Sequence, residues 1–175
     1  HLGYTWGMRK CERCGSGLDV LARSDARFCS TRCRVAAHRA GVLPAELTSR
    51  RAWVRADGKR PVTASGSPAS STDPSSWSSF AEVRASSSGD GFGVMLGGGL
   101  GCWDLDHCLE GDSLAPWARE VLDSIGSPVW VERSVSGTGL HVFVLAVEAR
   151  GFRRGGVEFY SRQRFIRVTG DRYAL

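Results

Sequence analysis

Gly93-Val94-Met95-Leu96-Gly97-Gly98-Gly99-Leu100-Gly101-Cys102-Trp103-Asp104-Leu105-Asp106 reads as two apolar strands around a glycine run, the second ending in two carboxylates. Side chains along a strand alternate between faces, so Asp104 and Asp106 share one side while Leu105 points into a core. Glycine tolerates the backbone angles of a tight turn, so the run predicts a β-hairpin with acids at its far end.

Strand-like sequence continues downstream. Residues 129–135 and 140–147 predict two strands joined by Ser136-Gly137-Thr138-Gly139, and residues 157–160 and 164–168 predict a last strand pair. In the first of these, Glu158 faces away from Val157 and Phe159 and becomes a third carboxylate for the acidic side. Upstream, Asp57-Gly58-Lys59 is a hairpin turn between residues 52–55 and 60–63. Asp73-Pro74 starts a predicted helix with Trp77, Phe80 and Val83 on one face, and Ser113 caps another running to Ile125. The expectation is an α+β domain with a mixed, largely antiparallel sheet and flanking helices.

The 175 residues suffice for one such domain plus an appendage, and 42% are hydrophobic, enough for a packed core. No stretch approaches the roughly 18 apolar residues of a membrane span, and no signal peptide is visible, so a cytoplasmic location without membrane attachment is expected. The net charge of +5 is uneven: residues 1–60 carry 13 Lys/Arg against 5 Asp/Glu, and the remainder 10 against 13. A basic front half suits a polyanion such as nucleic acid, or is simply a solvated face.

That half contains Cys11-x2-Cys14 and, after 14 residues, Cys29-x3-Cys33. Two closely spaced thiol pairs supply the four ligands of a tetrahedral Zn2+ site, and a segment this small would need the metal to fold. Residues 33–40 predict a helix leaving the second pair, with His38 as a spare ligand. The expected division is a four-cysteine zinc-finger module over 1–41, a linker over 42–51 and a catalytic core over 52–175. Cys102 and Cys108 have no second pair and are expected to be ordinary buried thiols.

Carboxylates that converge on one face can share two hard divalent cations, Mg2+ or Mn2+, and such cations bind phosphates. Asp104, Asp106 and Glu158 are the candidate ligands. In Ser136-Gly137-Thr138-Gly139-Leu140-His141, glycine N–H groups, the Ser136 hydroxyl and the His141 ring are candidate donors to an anion. A plain hairpin turn would not demand this residue order. Arg164, near the acids, could neutralise developing phosphate charge, and Lys59 in its turn could reach a nucleotide.

Trp103-Asp104-Leu105-Asp106-His107, Glu132 to His141, Val157-Glu158-Phe159-Tyr160 and Arg164 to Gly170 together resemble the bifunctional primase-polymerase domain of phages, plasmids and integrated elements, within the archaeo-eukaryotic primase superfamily. The resemblance covers roughly residues 50–175. It implies an RNA-recognition-like core, two metals held by Asp104, Asp106 and Glu158, and a nucleotide triphosphate bound through Ser136 and His141. It implies single-stranded DNA template and primer, nucleoside triphosphates and a helicase domain or protein as partners. The Ser-Gly-x-Gly-x-His spacing is longer than the simplest family pattern. The cysteine module lies outside that core and resembles short Cys-Ser-x-x-Cys-Arg zinc fingers. Two other readings stand beside this one: a metal-dependent nuclease and a non-catalytic zinc-containing nucleic-acid-binding module. A topoisomerase-primase-type enzyme needs a glutamate upstream on a strand, whereas Glu82 falls in a predicted helix.

Overall fold

The computed structural model describes residues 9–11, 17–19, 21–34 and 42–175, which form two compact units, one within residues 1–42 and one over 43–175. Among the described residues of the first unit an antiparallel bridge joins Lys10 and Gly17, and Cys11 and Leu18 are buried. The Arg9 guanidinium donates to the carbonyls of Ala22, Arg23 and Ser24 at 2.7–3.0 Å, holding residues 22–24 against residue 9. Residues 31–34 are helical, and Ser30 Oγ accepts from the Cys33 N–H at the helix start. Cys14, His38 and most of the helix expected over 33–40 lie outside the described residues.

The second unit is α+β, and every strand pairing in it is antiparallel, as expected. Its strands divide between two sheets rather than one. The first has the order β11(Phe165–Val168)-β3(Gly91–Met95)-β1(Trp53–Asp57)-β2(Arg60–Val62). The second has the order β7(Trp130–Arg133)-β8(Leu140–Leu145)-β4(Leu100–Leu105)-β10(Val157–Tyr160)-β9(Phe152–Arg154). A short ribbon, β5(Leu109–Glu110) with β6(Ser113–Leu114), and helices α1(Ala45–Thr48), α2(Phe80–Ala85) and α3(Pro116–Ile125) complete it.

Two expected strand pairs are therefore not pairs. Residues 93–96 and 100–104 bracket a corner: only Gly97 and Leu100 bridge, and the chain passes from the first sheet into the second. Gly97, Gly98 and Gly99 have φ of +137°, +57° and +86°, so a run with no Cβ suits this change of direction as well as it suits a hairpin. Likewise β10 joins β4 and β9, while β11 joins β3 in the other sheet.

Three further expectations change. Residues 42–51 are no linker: α1 sits there, Leu47 is fully buried, and Leu47 O accepts from the Trp53 indole at 3.0 Å. The helix expected from Asp73 is broken. Asp73 caps one 3-10 turn, Pro74–Ser76; Ser78 then bridges Trp53; and Ser79 with Glu82 builds a capping box that starts α2. Ser113 lies in β6 rather than capping a helix, and α3 begins at Pro116.

The packing explains what stays polar. One face of the second sheet, with Leu105, Val131, Leu140 and Val142, packs on Ala118 and Leu122 of α3. The opposite face packs Leu100, Cys102, Trp130 and Phe143 against Trp53, Val94, Ile166 and Val168 of the first sheet. Two residues further along each strand, on that same face, the side chains become ionisable. No helix among the described residues is long and apolar enough to cross a membrane.

Candidate functional site

Strand register lines up a row of five residues across the second sheet. Glu132 on β7 is opposite His141 on β8, His141 opposite Asp104 on β4, Asp104 opposite Glu158 on β10, and Glu158 opposite Arg153 on β9. Directly opposed residues in an antiparallel pair project from the same face, with Cβ atoms about 4.5–5.5 Å apart. Three expected site residues, Asp104, His141 and Glu158, thus become neighbours although they are far apart in sequence.

Each member of the row has a distinct environment. Glu132 is fully buried; its carboxylate accepts from the Trp130 indole and from the Thr169 and Gly170 N–H groups, each at 2.9 Å. His141 is buried between acids, Nδ1 at 3.4 Å from Glu132 Oε1 and Nε2 at 3.9 Å from Asp104 Oδ1. The Asp104 carboxylate accepts no hydrogen bond from a described side chain or N–H group. Burial pushes its carboxyl above the ordinary range; His141 works against that, and the neighbouring Asp106 and Glu158 charges add to it. Glu158, also buried, meets Arg153 Nε at 2.7 Å through Oε1, and its Oε2 accepts from the Tyr160 hydroxyl at 2.7 Å. That bond, with burial, holds the Tyr160 phenol above its usual value.

Asp106 lies just past the end of β4, in the turn before β5, with its N–H donating to Gly156 O at 2.8 Å. Arg164 reaches the row from the β10–β11 loop. Its Nη2 is 4.0 Å from Glu158 Oε2, and its guanidinium lies 4.4 Å from the centre of the Tyr160 ring. The row therefore has a carboxylate without a side-chain hydrogen bond at Asp104, a cation at each flank of Glu158, and a ring nitrogen of His141 facing Asp104.

Ser136 and Gly137 line a cleft with Asp90, Arg167 and Thr169, at the far end of the β7–β8 hairpin. The glycine N–H groups there are not available to an anion. Gly137 N–H donates to Ser134 O at 2.9 Å, and Gly139 N–H to Ser134 Oγ at 3.2 Å. Gly139 answers a packing need: a Cβ would sit 2.8 Å from Leu105 O. What faces outward is a chain of hydroxyls, Ser134 to Ser136 at 3.1 Å and Ser136 to Thr138 at 3.0 Å. Lys59 is exposed in the β1–β2 turn, whose Gly58 O accepts from Arg167 at 2.6 Å.

Cys11, Cys29 and Cys33 bring their sulfurs within 4.8 Å of one another, the one such group of three potential ligands among the described residues. Asp104, Asp106 and Glu158 do not close to that distance. The reason is local: Asp106 is a further two residues along, and both Glu158 oxygens are engaged. In kind the acids still suit a hard divalent cation, because Asp104 is a shielded carboxylate with like charges beside it, which His141 and Arg164 offset only in part. Cys102 and Cys108 are buried as expected; burial pushes the Cys102 thiol well up and the Cys108 thiol to about 11.

Alternation along its strand marks Glu132 as a fourth acid on the face of Ser136, open to a structural role or to pairing near Arg133, whereas Arg153 and Tyr160 carry no role in the sequence reading. Arg153 has a legible signal: Arg153-Arg154-Gly155-Gly156-Val157-Glu158 is a two-residue glycine hairpin, which sets Arg153 opposite Glu158.

No family profile matches the chain. It is similar to the DNA primase-polymerase of Nitratiruptor phage NrS-1, at 32% identity over 120 residues, covering 61% of this chain and 16% of that relative.

Proposed function

We propose that residues 43–175 form the catalytic core of a DNA primase-polymerase, joining nucleoside triphosphates to a primer 3′-hydroxyl or an initiating nucleotide on a single-stranded DNA template. The observation that carries this reading is the register that sets His141, Asp104 and Glu158 side by side; the phage relative supports the same activity class. Asp104, Asp106 and Glu158 would hold two Mg2+ or Mn2+ ions, which when bound activate the attacking hydroxyl and neutralise the leaving pyrophosphate. His141, braced by Glu132, donates a ring N–H toward a phosphate oxygen. The Ser136 hydroxyl contributes a second donor, and the Arg164 guanidinium offsets charge developing on the phosphate. Lys59 is a more distant candidate contact for nucleotide.

Primer extension on a labelled primed template, with Mg2+ or Mn2+, tests this. Product lengthening that requires nucleoside triphosphates is the expected result. Template shortening without nucleotides would make the protein a nuclease, and DNA binding with neither outcome would make it a binding module.

The N-terminal unit binds Zn2+ in the same proposal, through Cys11, Cys29 and Cys33 with Cys14 as fourth ligand. Cys29→Ser should release about one Zn2+ per chain and unfold that unit, because a segment with two buried apolar positions, Cys11 and Leu18, among its described residues has little other core. Metal content after gel filtration and hydrogen exchange within residues 9–34 read this out. Unchanged zinc content in Cys29→Ser would exclude the assignment.

A further inference from the structure

Glu158 differs from Asp104 beside it in having both oxygens engaged, and the two partners differ in kind. Tyr160 comes from the same strand, and its hydroxyl fixes Oε2 at 2.7 Å. Arg153 comes from β9, the outermost strand of the sheet, and holds Oε1 at 2.7 Å. The side chain of Arg153 is 70% exposed, that of Glu158 only 6%. A carboxylate this shielded needs a cation or donors, whereas the guanidinium remains solvated whether or not it stays on the carboxylate. One partner is fixed and the other is free to leave. Asp104, on the other side of Glu158, has His141 Nε2 at 3.9 Å and no side-chain hydrogen bond among the described residues.

We propose that Arg153 is an exchangeable cation: it neutralises Glu158 Oε1 while no metal is bound and is displaced from that oxygen when a divalent cation enters, so that it sets the metal affinity of the acidic row. The proposal rests on the acids being the cation site. It accounts for two features together. The three acids are not gathered into a ligand cluster, because Glu158 is turned toward β9 by Arg153. Glu158 is nevertheless held in place by one charge-assisted contact and one phenol bond. A guanidinium 2.7 Å from Oε1 takes one of that oxygen's two lone-pair sites and repels a divalent cation approaching the other, so the two compete for the carboxylate.

The test is direct Mn2+ binding. The full chain, saturated with Zn2+ beforehand, is titrated with Mn2+ while electron paramagnetic resonance reports the free ion, for wild type, Arg153→Gln, Arg153→Ala and Asp104→Asn. The expected result is a site lost in Asp104→Asn and bound about tenfold more tightly in both Arg153 variants, the scale of removing one competing charge at a partly exposed site. Unchanged or weaker Mn2+ affinity in Arg153→Gln and Arg153→Ala, with the Asp104-dependent site intact, would overturn the exchange and leave the functional reading standing. Absence of any Asp104-dependent Mn2+ binding would overturn both.

Discussion

Asp104→Asn should lower nucleotide incorporation by about a thousandfold or more and yet raise the melting temperature of the cation-free protein. The two effects have one origin. Asp104 sits mid-row between His141 and Glu158, its side chain 22% exposed, with no hydrogen-bond donor among the described residues. Burial raises its carboxyl from the ordinary 3.8, and the Asp106 and Glu158 charges push the same way against His141. The folded protein therefore holds this proton more tightly than the unfolded chain does. Stability falls as pH rises from that ordinary value through the raised one, and above it the ionised group is carried at a cost. Asparagine keeps the shape and removes the charge, so at neutral pH the melting temperature should rise by about 2–4 °C, the shift that on the order of 1 kcal/mol produces in a chain of this length. The same substitution removes a ligand for the cations that would stabilise the transition state; a thousandfold rate loss corresponds to about 4 kcal/mol of lost stabilisation. Mn2+ should raise the melting temperature of wild type and leave the variant unmoved. Calorimetry at pH 7 with and without Mn2+, beside a primer-extension time course, separates the possibilities. A variant that melts lower than wild type without metal, or that extends primer at the wild-type rate, contradicts this account of Asp104.

How much of that site can be read from the chain depends on the range of the interaction involved. Alternation is local, so the facing of Asp104 against Leu105, and of Glu158 against Val157 and Phe159, is legible from single strands, and the register agrees by setting Glu158 opposite Asp104, although in β10 the acid is the most buried residue. The antiparallel α+β class follows from the same periodicity. Partner choice between strands is not local. Gly97-Gly98-Gly99 permits a corner and a hairpin equally, and the decision rests on long-range packing of Val94 with Ile166 and of Cys102 with Phe143. Residues 165–168 escape assignment to the first sheet for the same reason. Short elements fail differently: α1 has four residues, too few for a periodic pattern, although Leu43 and Leu47 are core. Between Asp73 and Glu82 two valid start signals compete, and the reciprocal box of Ser79 and Glu82 ends the contest because it satisfies two donors at once. Arg153 is readable from its glycine hairpin, yet a charged residue on an edge strand is ordinarily a solvated one, and nothing in its local sequence marks it as the exception.

Glu132→Ala should cost about 3–5 kcal/mol of stability, the largest destabilisation expected from any single residue of the row. The reason lies in what would be stranded. Glu132 joins β7 to the segment after β11, accepting the Thr169 and Gly170 N–H groups as well as the Trp130 indole, and it stands 3.4 Å from His141 Nδ1. Alanine leaves the buried Trp130 indole without an acceptor, at about 1–3 kcal/mol, strands the part-buried Thr169 and Gly170 N–H groups at less, and opens a cavity beside a buried row. It also releases the ring of His141, so the effect should not stop at stability. Glu132→Gln retains the volume and one acceptor oxygen while turning an amide N–H toward groups that are themselves donors, so it should fall between wild type and alanine. Urea denaturation of the three proteins gives the order directly. Extension assays well below the melting temperature then separate the two roles of the residue. If Glu132 only braces the fold, Glu132→Gln at full occupancy of the folded state keeps the wild-type Michaelis constant for nucleotide. If it also orients His141 toward phosphate, that constant rises while the fold remains intact. The second outcome is the expected one, because the Thr169 and Gly170 contacts fix the carboxylate from one side and His141 approaches it from the other, leaving the ring only one orientation in which Nε2 faces Asp104.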